Sequence, residues 1–550
     1  MTAVAAFSIA DTPDTPDTPA TSATSATSVT SPGPGPALTT WIVAAAAVPD
    51  GELGIGELAG PYVAADVLAR GLRADGRAVV LTSALDEHHP DVVARALRTG
   101  RKPDDVAEAF GEAITADWQH AGVAFDGVGR AASDGSHRRR VTEWFARLHA
   151  GGALVRRERH LPYCGPCGRW PAGRLLVGCC PDCAAEGPAG ACGACLRWND
   201  PGELAVPYCA GCGARAGRRR AARLDFALEP HRDALIDHWV TAQLPPAARA
   251  MTERMTAERL PEIPATRPGE WGLPVPVDGY ADQRVAAPFQ LALSHLTAAE
   301  TVAEDGPYHA VHFLPRSGLA FHTLLLPALL ALAGLPLPRA LHVSEPYVTD
   351  PDAPLWALDA LTAVGPDALR RHVLTHRPSG RPITHRQREL AGTRRHLTGQ
   401  WNGWLRRLFA EVRSGHGGLV PDALPGGDGW EELRGRVERS AVELRDAYAP
   451  GAFAPRRLLA LLDEVVASAA EFGWVNDATP DPARRAPALT AQLAVASALS
   501  VWAWPVMPQG AARLAAALGV RTPGPVTAAA LCAPPPGTRV EPPSGPVFGL

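Results

Sequence analysis

The sequence predicts an α/β protein: a nucleotide-binding, parallel-sheet half that carries a cysteine-rich insertion, followed by an all-helical bundle. Three observations carry that reading. Residues 38–82 run strand, glycine-rich turn, helix, strand, the opening of a doubly wound domain. Between Tyr163 and Gly213 the chain reads YCGPC, CCPDC, CGAC and YCAGC, hairpins of the kind that wrap metal ions. From about Thr375 the apolar residues recur at helical spacing as far as about residue 518.

A chain of 550 residues with 46% hydrophobic content can bury two or three cores. The net charge of −4 gives no global basic field that would announce a nucleic-acid partner. Lys102 is the only lysine, so nearly every positive charge is arginine. Leu324 to Leu332 is apolar but short and holds Pro327, which suits a buried helix and not a membrane span. No basic side chain precedes Arg70, so a secretory signal is not expected and a cytoplasmic location is.

In order, residues 1–37 repeat Thr, Pro, Ser and Ala and are expected to be disordered. Residues 38–155 form the first half of the α/β domain. It opens on an apolar strand, Ala37 to Ala44, then the turn Val48 to Gly60, a helix, and a second strand, Ala78 to Thr82, that ends at SALDEHH. Residues 156–221 are the insertion and 222–375 the second half. The bundle takes 376–533, with helices at about 430–448, 455–474 and 486–518, and the Pro-rich tail, 534–550, is expected to be loose.

Nine of the ten cysteines lie in the insertion. Eight form pairs two residues apart: Cys164 and Cys167, Cys180 and Cys183, Cys192 and Cys195, Cys209 and Cys212. Two such pairs complete a tetrahedral zinc shell, so two ions are expected. The alternative, a disulfide framework, belongs to small secreted chains. Four thiolates leave no open position, so this zinc holds a fold and does no chemistry.

Several segments are recognisable together. GELGIGELAGPYVAADVLARGLRADG, LTSALDEHH, FDGVGRAASDGSH (125–137), TRPGEWGLPVP (266–276), HFLPRSGLAFH (312–322) and GPDALRRHVL (365–374) resemble, in register, successive blocks of the methionyl-tRNA synthetases, class I aminoacyl-tRNA ligases. The resemblance spans roughly residues 40–520 and implies a Rossmann-type catalytic domain, interleaved zinc knuckles and an anticodon-binding bundle. It also implies that Cys180, Cys183, Cys192 and Cys195 hold one ion and Cys164, Cys167, Cys209 and Cys212 the other, with Cys179 a competing neighbour. Asp86, Arg267 and His322 match family positions near the amino acid. Asn402 and Arg406 match an Asn-x-x-x-Arg pair that faces tRNA.

The departures fall where the chemistry is expected. Gly54-Ile55-Gly56-Glu57 stands in place of a His-x-Gly-His turn whose imidazoles meet ATP phosphates, and Glu57 is expected to repel them. The lysine-rich mobile loop due between His342 and Asp367 is about five residues short and has no lysine. Arg284 and Leu291 replace the Trp and Tyr of the methionine pocket. Arg316 and Ser317 replace Lys-Asp, and Arg316 is the best-placed substitute cation. Pro480-Asp481 replaces the Pro-Trp on which an anticodon base would stack, so tRNA binding is expected to be weak. Use of ATP and Mg²⁺ is in doubt on the same grounds. Of the remaining features, the adjacent His88 and His89 point apart and do not suit a metal, and the arginine runs 138–140 and 218–220 read as solvated faces.

Three functions follow. One is an active ligase. Another is a diverged paralogue that binds or activates a different amino acid, similar to the ligase half of MetRS-like proteins that build N–N bonds with a fused cupin; none is fused here, so a partner enzyme is implied. The third is a non-catalytic scaffold.

Overall fold

A computed structural model describes residues 38–350, 353–477 and 482–549. The expected disorder of 1–37 and the Pro480-Asp481 position fall outside them. The chain enters through β1 (Thr39–Ala44). After the glycine turn comes a continuous helical segment whose last part is α1 (Val63–Ala74). It continues through β2 (Val79–Leu85), α2 (Pro90–Thr99), α3 (Pro103–His120), β3 (Gly127–Arg130) and α4 (Gly135–Ala150). Strand β2 outruns the predicted Ala78–Thr82 because Ser83 to Leu85 still pair with Val128 to Arg130.

The insertion is carried on two long arms, β4 (Leu154–Tyr163) and β5 (Gly217–Ala227), paired antiparallel from Leu154↔Phe226 to Tyr163↔Gly217. The second half then adds α5 (Ala287–Glu304), β6 (Tyr308–Pro315), a buried helical segment over 321–332, β7 (Pro338–Ser344) and α6 (Pro366–Thr375). The main sheet is all parallel, in the order β7-β6-β1-β2-β3. Strand order reverses between β1 and β6, and ligands of such sheets sit at the carboxyl ends there. The glycine turn after β1, Asp86 after β2 and Arg316 after β6 therefore converge on one edge.

Side chains alternate across β1. Ile42 and Ala44 join a core with α1, and Trp41 and Val43 join a second core with α5. Helices α7 (Asn402–His416), α8 (Trp430–Ala447), α9 (Pro455–Asp477), α10 (Pro482–Trp502) and α11 (Pro508–Leu518) form the bundle. The predicted single helix over 486–518 is two, broken where Pro505 and Pro508 cannot donate backbone hydrogen bonds. The bundle shares the first core with α1, and that core runs unbroken from Ile42 to Phe548. Arg370 on α6 stitches the same boundary. Fully buried, it meets Asp66 Oδ2 at 2.7 Å and donates to the carbonyls of Val506 (2.8 Å) and Pro505 (2.9 Å).

The segment after Ala533 is not loose. Val540, Val547 and Phe548 are buried, and the Val540 amide bonds the Gly418 carbonyl at 2.9 Å. Its proline content sets an extended path, and the apolar residues between the prolines dock it. No described helix is long and apolar enough to cross a membrane.

Candidate functional site

At the glycine turn, Gly54 precedes the first helical residue and Glu57 lies three further on. That spacing lets Glu57 accept the Gly54 amide at 2.8 Å while its own amide donates to the Gly54 carbonyl at 3.1 Å. The Ile55 amide donates to Leu355 at 3.0 Å, and Ala357 donates back to Leu53 at 2.8 Å. A side chain at Gly56 would meet the Tyr347 carbonyl at 3.2 Å, so glycine is required by close approach. Tyr347, Leu355 and Trp356 come from the stretch where the lysine loop is due. That stretch lies against the turn and occupies the Ile55 amide. Burial raises the Glu57 carboxyl above its usual range, and the Asp50 carboxylate adds to the rise.

Asp86 follows β2 and its amide donates to the Ala47 carbonyl at 2.9 Å, just ahead of this turn, and Arg267 is its nearby cation. Asp86 is buried, its Oδ1 has no partner among the described residues, and desolvation lifts its pKa to about 6. Arg267 donates to the Trp271 carbonyl at 2.8 Å, leaves its Nε unpartnered, and is brought down to about 10 by desolvation, so it remains a cation at neutral pH. The two charges attract each other. His88 Nδ1 meets Gln290 Oε1 at 3.1 Å and packs edge-on to Trp271. Gln290 on α5 was not among the sequence candidates, since only the tertiary fold brings it to His88.

The other sequence candidates are less open. Arg284 spends its guanidinium on the carbonyls of Glu270 (3.0 Å), Ala281 (3.2 Å) and Gln283 (2.7 Å), closing its own loop. Leu291 is half-buried against the second core. Arg316 is paired with Glu345 at 3.3 Å, so it is not the free cation that would replace a mobile lysine. His322 is buried and meets His312 Nδ1 at 3.0 Å, with His295 beside it at a ring separation of 5.9 Å. Burial drives His295 to about 4 and His312 and His322 well below the usual imidazole range, so the three are neutral.

The eight paired cysteines fall into two groups of four, Cys164, Cys167, Cys209, Cys212 and Cys180, Cys183, Cys192, Cys195, each with its sulfurs within 4.8 Å of one another. All are free thiols. Sulfurs 2.3 Å from a tetrahedral ion stand about 3.8 Å apart. Here Cys180 and Cys195 are at 3.8 Å, Cys183 and Cys192 at 3.6 Å, and Cys164 and Cys212 at 3.4 Å, so both shells fit zinc. Cys179 belongs to neither group. In all four knuckles the residue after the second cysteine has positive φ: Gly168 at 64°, Ala184 at 59°, Leu196 at 64° and Gly213 at 72°.

Asn402 requires a correction. Its amide is buried and spent on the tail, donating to the Phe548 carbonyl at 2.7 Å and accepting the Phe548 amide at 3.0 Å. It presents nothing to tRNA. Arg406, one turn on, is exposed and donates to the Asn402 carbonyl at 3.2 Å.

The family model described as tRNA synthetases class I (M) matches residues 40–396. The methionine–tRNA ligase of Ignicoccus hospitalis is 27% identical over 422 residues, 72% of this chain and 73% of its own. That of Thermofilum pendens is 27% identical over 496 residues, 85% of this chain and 87% of its own. Among solved structures, Mycobacterium tuberculosis methionyl-tRNA synthetase in complex with methionyl-adenylate superposes with a TM-score of 0.75 at 19% identity, covering 93% of this chain and 99% of that one. At that identity the likeness is one of fold.

Proposed function

We start from a chain that belongs to the class I (M) tRNA synthetases, the methionyl-tRNA synthetase family, and propose that it is a diverged paralogue that binds or activates an amino acid outside translation. The carrying observation is the closed turn. The amides of Gly54 and Ile55 are already engaged, a carboxylate stands where phosphate would approach, and the neighbouring segment brings Tyr347 and Leu355 onto the turn. These residues suit a triphosphate poorly, so activation, where it occurs, is expected to be slow. Each missing donor to a developing charge costs on the order of 3 kcal/mol, about a hundredfold in rate.

The amino-acid side is better preserved. A buried Asp86 and a half-buried Arg267, each with an unpartnered buried atom, suit a zwitterion: Asp86 takes the ammonium group and Arg267 the carboxylate. In this reading the eight cysteines hold two structural zinc ions, the protein works in the cytoplasm, and a separate enzyme handles the next step. A non-catalytic binding scaffold is the version of the same reading in which no activation occurs. The ordinary-ligase reading is favoured only by the names of relatives at 27% identity.

The test is pyrophosphate exchange over an amino-acid panel, with equilibrium binding of the same panel to the protein and to Asp86→Asn. We expect at least one amino acid to bind and to lose that binding in Asp86→Asn. Methionine-dependent exchange is expected more than ~10⁴-fold below a housekeeping ligase. Exchange with methionine at a housekeeping rate overturns the proposal.

A further inference from the structure

On the far side of β2 and β3 from the glycine turn's core, α4 and α5 close over a second cavity of about 240 Å³. Its space comes from sequence. Gly127 and Gly129 are alternate residues of β3, so they share a face of the sheet and leave it bare. Opposite them, α5 turns a polar stripe inward, Ser294, Thr297 and Thr301, spaced three, four and seven apart on one helix face.

Three polar atoms lining this cavity are buried with no hydrogen-bond partner among the described residues: His137 Nε2, His295 Nε2 and Thr297 Oγ1. His295 is 4% exposed and Thr297 3%. Leaving such a group unpaired in the interior is costly, so three around one space mark it as built for something that hydrogen-bonds. Two of the other lining groups have partners. Ser83 donates to the Ala45 carbonyl at 3.2 Å, and Asp126 accepts from Leu81 at 2.6 Å and pairs with Arg73. Arg140 stands at the rim, bonded to Thr301 at 2.8 Å and near Glu300 at 3.5 Å. The buried unpartnered groups can all donate, and the one carboxylate in the lining, Asp126, is paired with Arg73.

We propose that this cavity binds a small carboxylate, whose oxygens take hydrogen bonds from His137, His295 and Thr297 while Arg140 supplies positive charge at the entrance. The site is separate from the Asp86–Arg267 pair and does not depend on the function assigned to it.

The probe is sodium acetate, followed through the imidazole ¹⁵N resonances of the full chain, with glycinamide as the control that lacks a carboxylate. Acetate is expected to shift His137 and His295 saturably, with a dissociation constant of about 1–10 mM, and glycinamide is expected not to. Gly127→Leu should abolish the shift by filling the space. Its backbone is ordinary, and a Cβ there meets only the Thr82 methyl at 3.8 Å, so the variant is expected to fold, which a thermal melt checks. His295→Leu, the second variant, should weaken acetate at least tenfold. No saturation with acetate, an equal response to glycinamide, or an unchanged acetate shift in the two variants overturns the proposal.

Discussion

Glu57 turns its carboxylate back onto the amide of Gly54, at 2.8 Å, inside the glycine turn that follows β1. The bond gives the acid a local job as a helix cap. Glu57→Gln keeps an acceptor and removes the charge, so stability should stay within about 1 kcal/mol. Affinity for Mg-ATP is expected to rise less than tenfold, because Leu355 and Tyr347 still cover the turn. Equilibrium dialysis with labelled ATP, beside a thermal melt, reads both. A gain of two decades would mean that charge alone had closed the site.

Metal analysis of the purified chain is expected to return two zinc ions, and Cys180→Ser one. A structural thiolate site contributes directly to folding, so the variant's insertion should be cut by protease at native temperature. Disulfides in place of metal would refute the assignment.

Ala184 and Leu196 hold the left-handed turn that Gly168 and Gly213 hold in the other two knuckles. A non-glycine residue there costs about 1 kcal/mol. Ala184→Gly removes that strain at an exposed position and is expected to slow zinc loss to a chelator two- to fivefold. Faster loss would show that the entropy of the added glycine outweighs the strain.

His295, His312 and His322 are buried as neutral imidazoles, with His295 near 4 and the other two also held well below the usual imidazole range by burial. Their unfolded value is about 6.5. Below that pH the unfolded chain binds protons that the native chain refuses, so the stability present above pH 6.5 is lost on acidification, by about 1.4 kcal/mol per pH unit for each group. Urea midpoints from pH 7.5 to 5 should fall accordingly. In His295→Leu the slope should drop by about one proton. A slope that does not change would place the acid sensitivity elsewhere.

Features set by local spacing were legible in the sequence. The continuous apolar run of β1, the helical period of the bundle and the Cys-x-x-Cys pairs all report structure within a few residues of themselves. Even the Glu57 cap has a local signature, an acid three residues after Gly54, although electrostatic expectation had it facing phosphate. Contacts across the chain were not legible. Leu355 meets Ile55 from 300 residues away, and the three histidines come from a strand and two helical segments with no common period. Phe548 was hidden by the composition around it: a Pro-rich tail reads as loose until the apolar side chain finds Asn402 and Trp401.

One core passes from β1 through α1 into the bundle, and Arg370 bridges the same boundary with both partners fully buried. The two halves therefore have no joint. A fragment ending near residue 375 would carry a torn face instead of a surface, and it should aggregate when expressed alone. Whatever the bundle grips is held at a span from the Asp86 pocket that was fixed when the chain folded, like the jaws of a caliper locked at one setting.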